Sequence, residues 1–176
     1  MNVIKWIDEV NLMLKKMNEI AFNYPLGDNM IRIPGNNTLL PHLMTISGLA
    51  SSSSFISFFE QCDGLNLPDV YVGYYIHTIE GILRGIENGE PVRISEPINC
   101  KIIVFGSDGG GGRFALRVDE HNEVLYLPAG SVYHGTFDGQ TKHIKLLSND
   151  FLGFLKRFKS DIKSFIENEK GWEYMV

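Results

Sequence analysis

Ile103-Val-Phe-Gly-Ser-Asp-Gly-Gly-Gly-Gly-Arg-Phe-Ala-Leu116 is the stretch whose reading decides the fold. It opens inside an apolar run, Ile102 to Phe105, too unbroken for a strand with one wet face, so that run reads as a central strand. Arg113 to Val118 alternates, with Phe114, Leu116 and Val118 on one side and Arg113, Ala115 and Arg117 on the other, the pattern of a sheet covered on one side. Between them, Gly106-Ser-Asp-Gly-Gly-Gly-Gly112 admits three readings: a hairpin turn, a loop that touches a partner, or a phosphate cradle made of backbone N–H groups. No Gly-Lys-Ser/Thr follows it, and a strand begins where a dinucleotide fingerprint requires a helix.

Outward from this centre, strands are predicted at Met30 to Ile33, Val70 to Ile76, Val92 to Ser95, Val124 to Leu127, Ser131 to Phe137 and His143 to Leu147. Short polar or glycine-containing connections favour antiparallel pairing. Ile4, Ile7, Val10, Leu14, Met17 and Ala21 repeat at helical spacing. Asn23 to Ser47 reads as an irregular connection, rich in Pro, Gly and Asn. Ser51 to Ser54 offer N-caps to a helix carrying Phe55, Phe58 and Phe59, stopped at Asp63-Gly64, and the aromatic cluster reads as core. Thr78 caps a short helix with Ile79, Ile82, Leu83 and Ile86 inward. The last helix starts at Ser148 or Asn149, buries Phe151, Phe154, Leu155, Phe158, Ile162, Phe165 and Ile166, and turns Lys156, Arg157, Lys159 and Lys163 to solvent, with a membrane-surface or partner role as the other use of those cations. Helices at both ends around a run of strands, without a repeated βαβ unit, define α+β. The length, 176 residues, suits one domain over 1–176.

Composition narrows function. Sixteen Lys and Arg against 21 Asp and Glu give a net charge of −5, which opposes direct nucleic-acid binding of the usual basic kind. Two cysteines, Cys62 and Cys100, do not make a disulfide framework, and a reduced cytoplasmic setting is expected. Lys5, Asp8 and Glu9 interrupt what would be a signal-peptide core. The uncharged stretch between Arg32 and Glu60 is broken by Pro34, Gly35, Pro41 and the serine run, so no membrane span is expected. The histidines, His42, His77, His121, His134 and His143, carry no active-site signature, and both cysteines read as small buried residues. No metal motif is present, and Asp119, Glu120, His121 and Glu123 read as an exposed turn. Most of the carboxylates fall on turns and helix surfaces, where no pKa perturbation is implied. No enzyme, cofactor or metal is expected.

Four segments together resemble the SUKH superfamily, which contains bacterial immunity proteins and fungal regulators of cell-wall synthesis. They are Phe55-Ile-Ser-Phe-Phe-Glu-Gln-Cys-Asp-Gly64, similar to the family's aromatic helix and turn; Ile103 to Leu116, similar to its strand, Gly-rich turn and strand; Val124-Leu-Tyr-Leu-Pro128; and the closing helix with Phe151, Phe154 and Leu155. The likeness spans roughly 49–166. Leu49-Ala50 replaces the family's usual Leu-Pro, and Arg113 stands where a polar or acidic residue often follows the glycines. The resemblance implies an α+β domain with a central sheet and flanking helices, and binding in place of catalysis.

It implies an immunity protein that neutralises a cognate protein toxin. A basic toxin such as a nuclease would suit the acidic chain, since complementary charge accelerates encounter. The expected contacts are exposed acids and aromatics on loops: Asp63, Asp69, Tyr71, Tyr74, Asp108, Asp119 and Glu120. The alternatives are a regulatory or scaffolding module, as among the fungal relatives, and a nucleotide-binding enzyme built on Gly109 to Gly112.

Overall fold

The computed structural model describes residues 2–35, 38–50, 53–118, 122–138 and 141–176. Among these residues five α-helices and ten strands follow in the order α1 (Val3–Glu19), β1 (Met30–Ile31), α2 (Leu40–Ser47), α3 (Ser54–Gln61), β2 (Leu65–Leu67), β3 (Tyr74–Ile76), α4 (Ile79–Glu87), β4 (Arg93–Ile94), β5 (Cys100–Asp108), β6 (Arg113–Arg117), β7 (Val124–Leu127), β8 (Val132–Tyr133), β9 (Thr136–Phe137), β10 (Lys145–Ser148) and α5 (Phe151–Ile166), with a short 3-10 turn at Thr141–His143. The fold is α+β, with helices at the start, middle and end of the chain.

Strand β5 is the axis of the sheet. Along one edge its C-terminal half pairs with β3 and its N-terminal end with β4, while the other edge carries β6. The order β1-β2-β3-β5-β6-β7-β10 is antiparallel throughout. A short ribbon branches from β5, in which β4 runs parallel to β9 and β9 forms a hairpin with β8. The β5–β6 register moves from Val104↔Ala115 to Gly106↔Phe114, so Phe105 is the extra residue of a bulge.

The apolar run of β5 reads both faces of this sheet. Ile103 and Phe105 join the main core with Phe114, Leu116, Trp6, Phe58 and Phe154, which α1, α3 and α5 cover. Ile102 and Val104 face the other way into a smaller core with Ala115, Leu125, Leu127, Ile94 and Phe137. The expectation of a sheet covered on one side is therefore corrected at β6: Ala115 is fully buried because the β4–β9–β8 ribbon curls across the second face.

Local chemistry accounts for the boundaries. Asn2, Ser53, Thr78 and Asp150 each accept an N–H from the first turn of a helix through their side chains. The last of these places the start of α5 at Asp150, one or two residues beyond the expected Ser148 or Asn149. Helix α2 lies in the segment read as irregular: Pro41 sits in its first turn, where a missing N–H costs nothing, and Gly48 closes it at φ 70°. The strand expected from Val70 begins only at Tyr74, because Val70 to Gly73 is a turn with Tyr71 at φ 55° and Gly73 at φ 89°. Ser131 to Phe137 divides into β8 and β9 around His134 and Gly135, both at positive φ, the geometry of a two-residue hairpin.

Candidate functional site

The glycine-rich segment forms the hairpin turn between β5 and β6, and its amides face the protein itself. Asp108 is 7% exposed, and its Oδ1 accepts the N–H groups of Gly110 at 2.9 Å and Gly112 at 2.7 Å. Its Oδ2 accepts the Tyr126 hydroxyl at 2.8 Å. The N–H of Gly109 donates to Gly73 O at 3.1 Å. Three of the amides a phosphate would need are thus held by protein oxygens. A Cβ on Gly109 would lie 2.0 Å from Val72 O, so the hairpin tip docks directly on the backbone of the turn that carries Tyr71. Gly112 is required for a second close approach, 2.2 Å between such a Cβ and the Tyr126 hydroxyl.

Tyr71 stands on that turn at φ 55°, a conformation uncommon for a bulky residue and sustained by its surroundings. The supports are Gly73 N–H to Val70 O at 2.9 Å and the Gly109 contact. The residue is 46% exposed, and its ring lies parallel to that of Tyr174, with centroids 4.1 Å apart. Phe22 stacks on Phe165 at 6.1 Å and leans on Tyr24 at 5.4 Å. These side chains, with Ile20, Ile166, Asn168 and Glu169, line a cleft of about 590 Å³ between the end of α1, the end of α5 and the Tyr71 turn.

Beneath the cleft lies a buried carboxylate. Asp161, on α5, is fully buried, and its Oδ2 accepts Tyr74 Oη at 2.9 Å and the Met175 N–H at 3.0 Å. Its Oδ1 accepts Trp172 Nε1 at 2.9 Å and lies 3.4 Å from Arg157 Nε. The Arg157 guanidinium sits 5.1 Å from the Trp172 ring and bonds Glu173 O. The C-terminal segment is thereby fastened to α5, which fixes Tyr174 against Tyr71. Burial, then Asp161, raise the Tyr74 phenol above its ordinary range. Tyr174 is raised as well, first by burial, then by the negative charge of Asp161, then by Tyr71 and Glu169.

Several expected contacts are placed differently. Tyr74 and Asp108 are buried, the first fully, so neither is an exposed loop residue; Tyr74 faces inward because its hydroxyl meets Asp161, and Asp108 because its oxygens close the glycine turn. Asp63 is half-buried and accepts the Ile79 N–H at 2.9 Å, helping to start α4. Asp69, also half-buried, accepts the Gly27 N–H at 2.7 Å and the Asn29 amide. Tyr71 alone of the described five is exposed. Asp119 and Glu120, with His121, lie outside the described residues, while Glu123 pairs with Arg117 at 2.5 Å. Asp161 stands apart from the carboxylates on turns and helix surfaces, because it is fully buried. On α5, Lys156 and Lys163 are exposed as expected, whereas Arg157 packs on Trp172 and Lys159 pairs with Glu9 on α1.

Other chemistry-bearing groups hold structural positions. His77 Nε2 lies 3.0 Å from Ser107 Oγ, and burial lowers its pKa. The nearby Glu90 carboxylate binds Arg113 Nε at 2.5 Å. Burial pushes the Cys62 thiol up to about 12, and its Sγ donates to Gly64 O at 3.3 Å. Among the described residues, no three His, Cys, Asp or Glu side chains converge as metal ligands, and no helix is long and apolar enough to cross a membrane. Neither protein-family models nor curated proteins give a match to the chain.

Proposed function

We propose that this chain is a non-catalytic, SUKH-like protein-binding domain, an immunity protein of the cytoplasm that binds a basic cognate toxin, of nuclease type, and covers its substrate groove. The observation that carries the reading is the order of elements. Aromatic helix α3, the β5–glycine hairpin–β6 unit, β7 and the Phe-rich helix α5 follow one another along the segments on which the resemblance rests. The net charge of −5 supports it, since an acidic surface speeds encounter with a basic one and excludes like-charged partners. The exposed Tyr71 supports it too, as tyrosine anchors hot spots at low entropy cost. A complex of this kind buries about 800 Å² on each partner.

The test is co-purification with the toxin encoded beside the gene, followed by toxin challenge of cells lacking it. Complex formation with an association rate that falls steeply with salt, together with toxicity in the deletion strain, is the expected outcome. Unharmed deletion cells, or no complex at micromolar concentrations, overturn it. A gene standing apart from any toxin gene, with a different cellular protein captured, favours the regulatory module instead.

A further inference from the structure

We infer that the cleft beside Tyr71 is a receptor for a cationic side chain, an arginine in the first instance, presented by the basic protein partner. This rests on the partner class proposed above and names the site that would engage it. Among the described residues lining the cleft, Glu169 is the one charged side chain. The carboxylate is held in place, because it accepts the hydroxyl of Ser164, itself 2% exposed, at 2.8 Å. Its charge reaches the aromatic wall, where it helps to raise the Tyr174 phenol.

The lining is rich in aromatic rings: Tyr71 stacks on Tyr174 within 4° of parallel, and Phe22 on Phe165 within 10°. A guanidinium is planar, weakly hydrated and attracted to aromatic faces, so it suits a cleft lined by aromatic rings and a carboxylate. An anion would meet the like charge of Glu169, and a purely apolar group would make no use of it. The fold also maintains Tyr71 in the left-handed region at φ 55°, with the glycine hairpin docked on the turn that carries it.

The experiment uses the full chain and two probes, N-acetyl-arginine N-methylamide and its neutral citrulline analogue, followed by NMR of the Tyr and Phe ring signals. The expected result is saturable movement of the Tyr71, Tyr174 and Phe165 signals with the arginine probe, in the millimolar range. The citrulline probe should bind at least about fivefold more weakly, since it lacks the charge. Glu169→Gln, and separately Tyr24→Ala at an exposed rim position, should each weaken the arginine probe severalfold while amide signals elsewhere stay in place. Equal binding of both probes, no saturable movement, or full affinity in E169Q overturns the inference. Failure of the immunity reading looks different: the arginine probe still binds, but no toxin does. Conversely, a toxin that binds E169Q and the parent chain equally well sinks the cleft and leaves that reading standing.

Discussion

Asp161→Asn separates the charge of the buried carboxylate from its shape. In the parent chain two oxygens receive three full hydrogen bonds, from Tyr74, Trp172 and Met175, and face Arg157 Nε at 3.4 Å. An amide has one acceptor oxygen. If that oxygen stays with Trp172 and Arg157, the NH₂ group meets the Tyr74 hydroxyl, which can rotate to accept, and the Met175 N–H, which cannot. One buried donor is then unsatisfied, at about 1–3 kcal/mol, and the remaining bonds lose their charge assistance, each about 1 kcal/mol weaker. The sum is about 3 kcal/mol after allowing for relaxation, which for a domain of this size lowers Tm by roughly 6–12 °C. Thermal and urea unfolding would measure it, with circular dichroism for the whole fold and the indole N–H NMR signal for Trp172. Because the lost bonds hold the C-terminal segment, the Trp172 signal should change before the helical signal does. A Tm within about 1 °C of the parent would refute the assignment of Asp161 as the fastener of that segment.

Three further outcomes follow from the same geometry. Gly109→Ala should destabilise the chain by about 1–3 kcal/mol, because its Cβ meets Val72 O at 2.0 Å, whereas Gly110→Ala, whose Cβ has nothing nearer than 3.4 Å, should change stability far less; equal urea midpoints would sink the docking argument. His77 is held below its ordinary pKa of 6.5 by burial, so the unfolded chain takes up its proton first. Stability should be fullest above pH 6.5 and fall as pH drops beneath it, by at most about 1.4 kcal/mol per pH unit for this one proton, and His77→Gln should flatten that part of the profile. With its thiol near 12, Cys62 should alkylate at pH 8 about a thousandfold more slowly in the native chain than in guanidinium, and matched rates would contradict its burial.

Much of the scaffold was legible because apolar spacing and capping residues act locally. Thr78 starts α4, Val124 to Leu127 is β7 as expected, and the unbroken run in β5 is central. What escaped were features set by distant partners. Val70 to Gly73 has strand composition, yet the turn there is held by Gly109, far along the chain. The acidic loop residues looked like surface charge, but Asp63, Asp69 and Asp108 each accept backbone N–H groups, a use that short carboxylates serve well and that composition does not distinguish from exposure. Asp161 left a trace that could have been followed: it stands three residues after Phe158 and four before Phe165, on the apolar stripe of α5. Tyr174 and Trp172 left none, since their positions depend on the segment after α5 folding back to that carboxylate.

Trp6 buries its ring beside Phe58 and Phe158 and donates Nε1 to Leu155 O at 2.7 Å, a contact between residues 149 positions apart. During synthesis, then, the apolar stripe of the first helix waits for its partner until nearly all of the described sheet has left the ribosome. At the usual pace of translation that is roughly 7–30 s. For that interval Trp6, Val10, Leu14 and Met17 form an adhesive surface on a nascent chain, available to chaperones and to neighbouring chains alike. The closing helix is thus a temporal checkpoint, since a chain arrested before Leu155 leaves uncovered the part of its first helix that α3 does not reach.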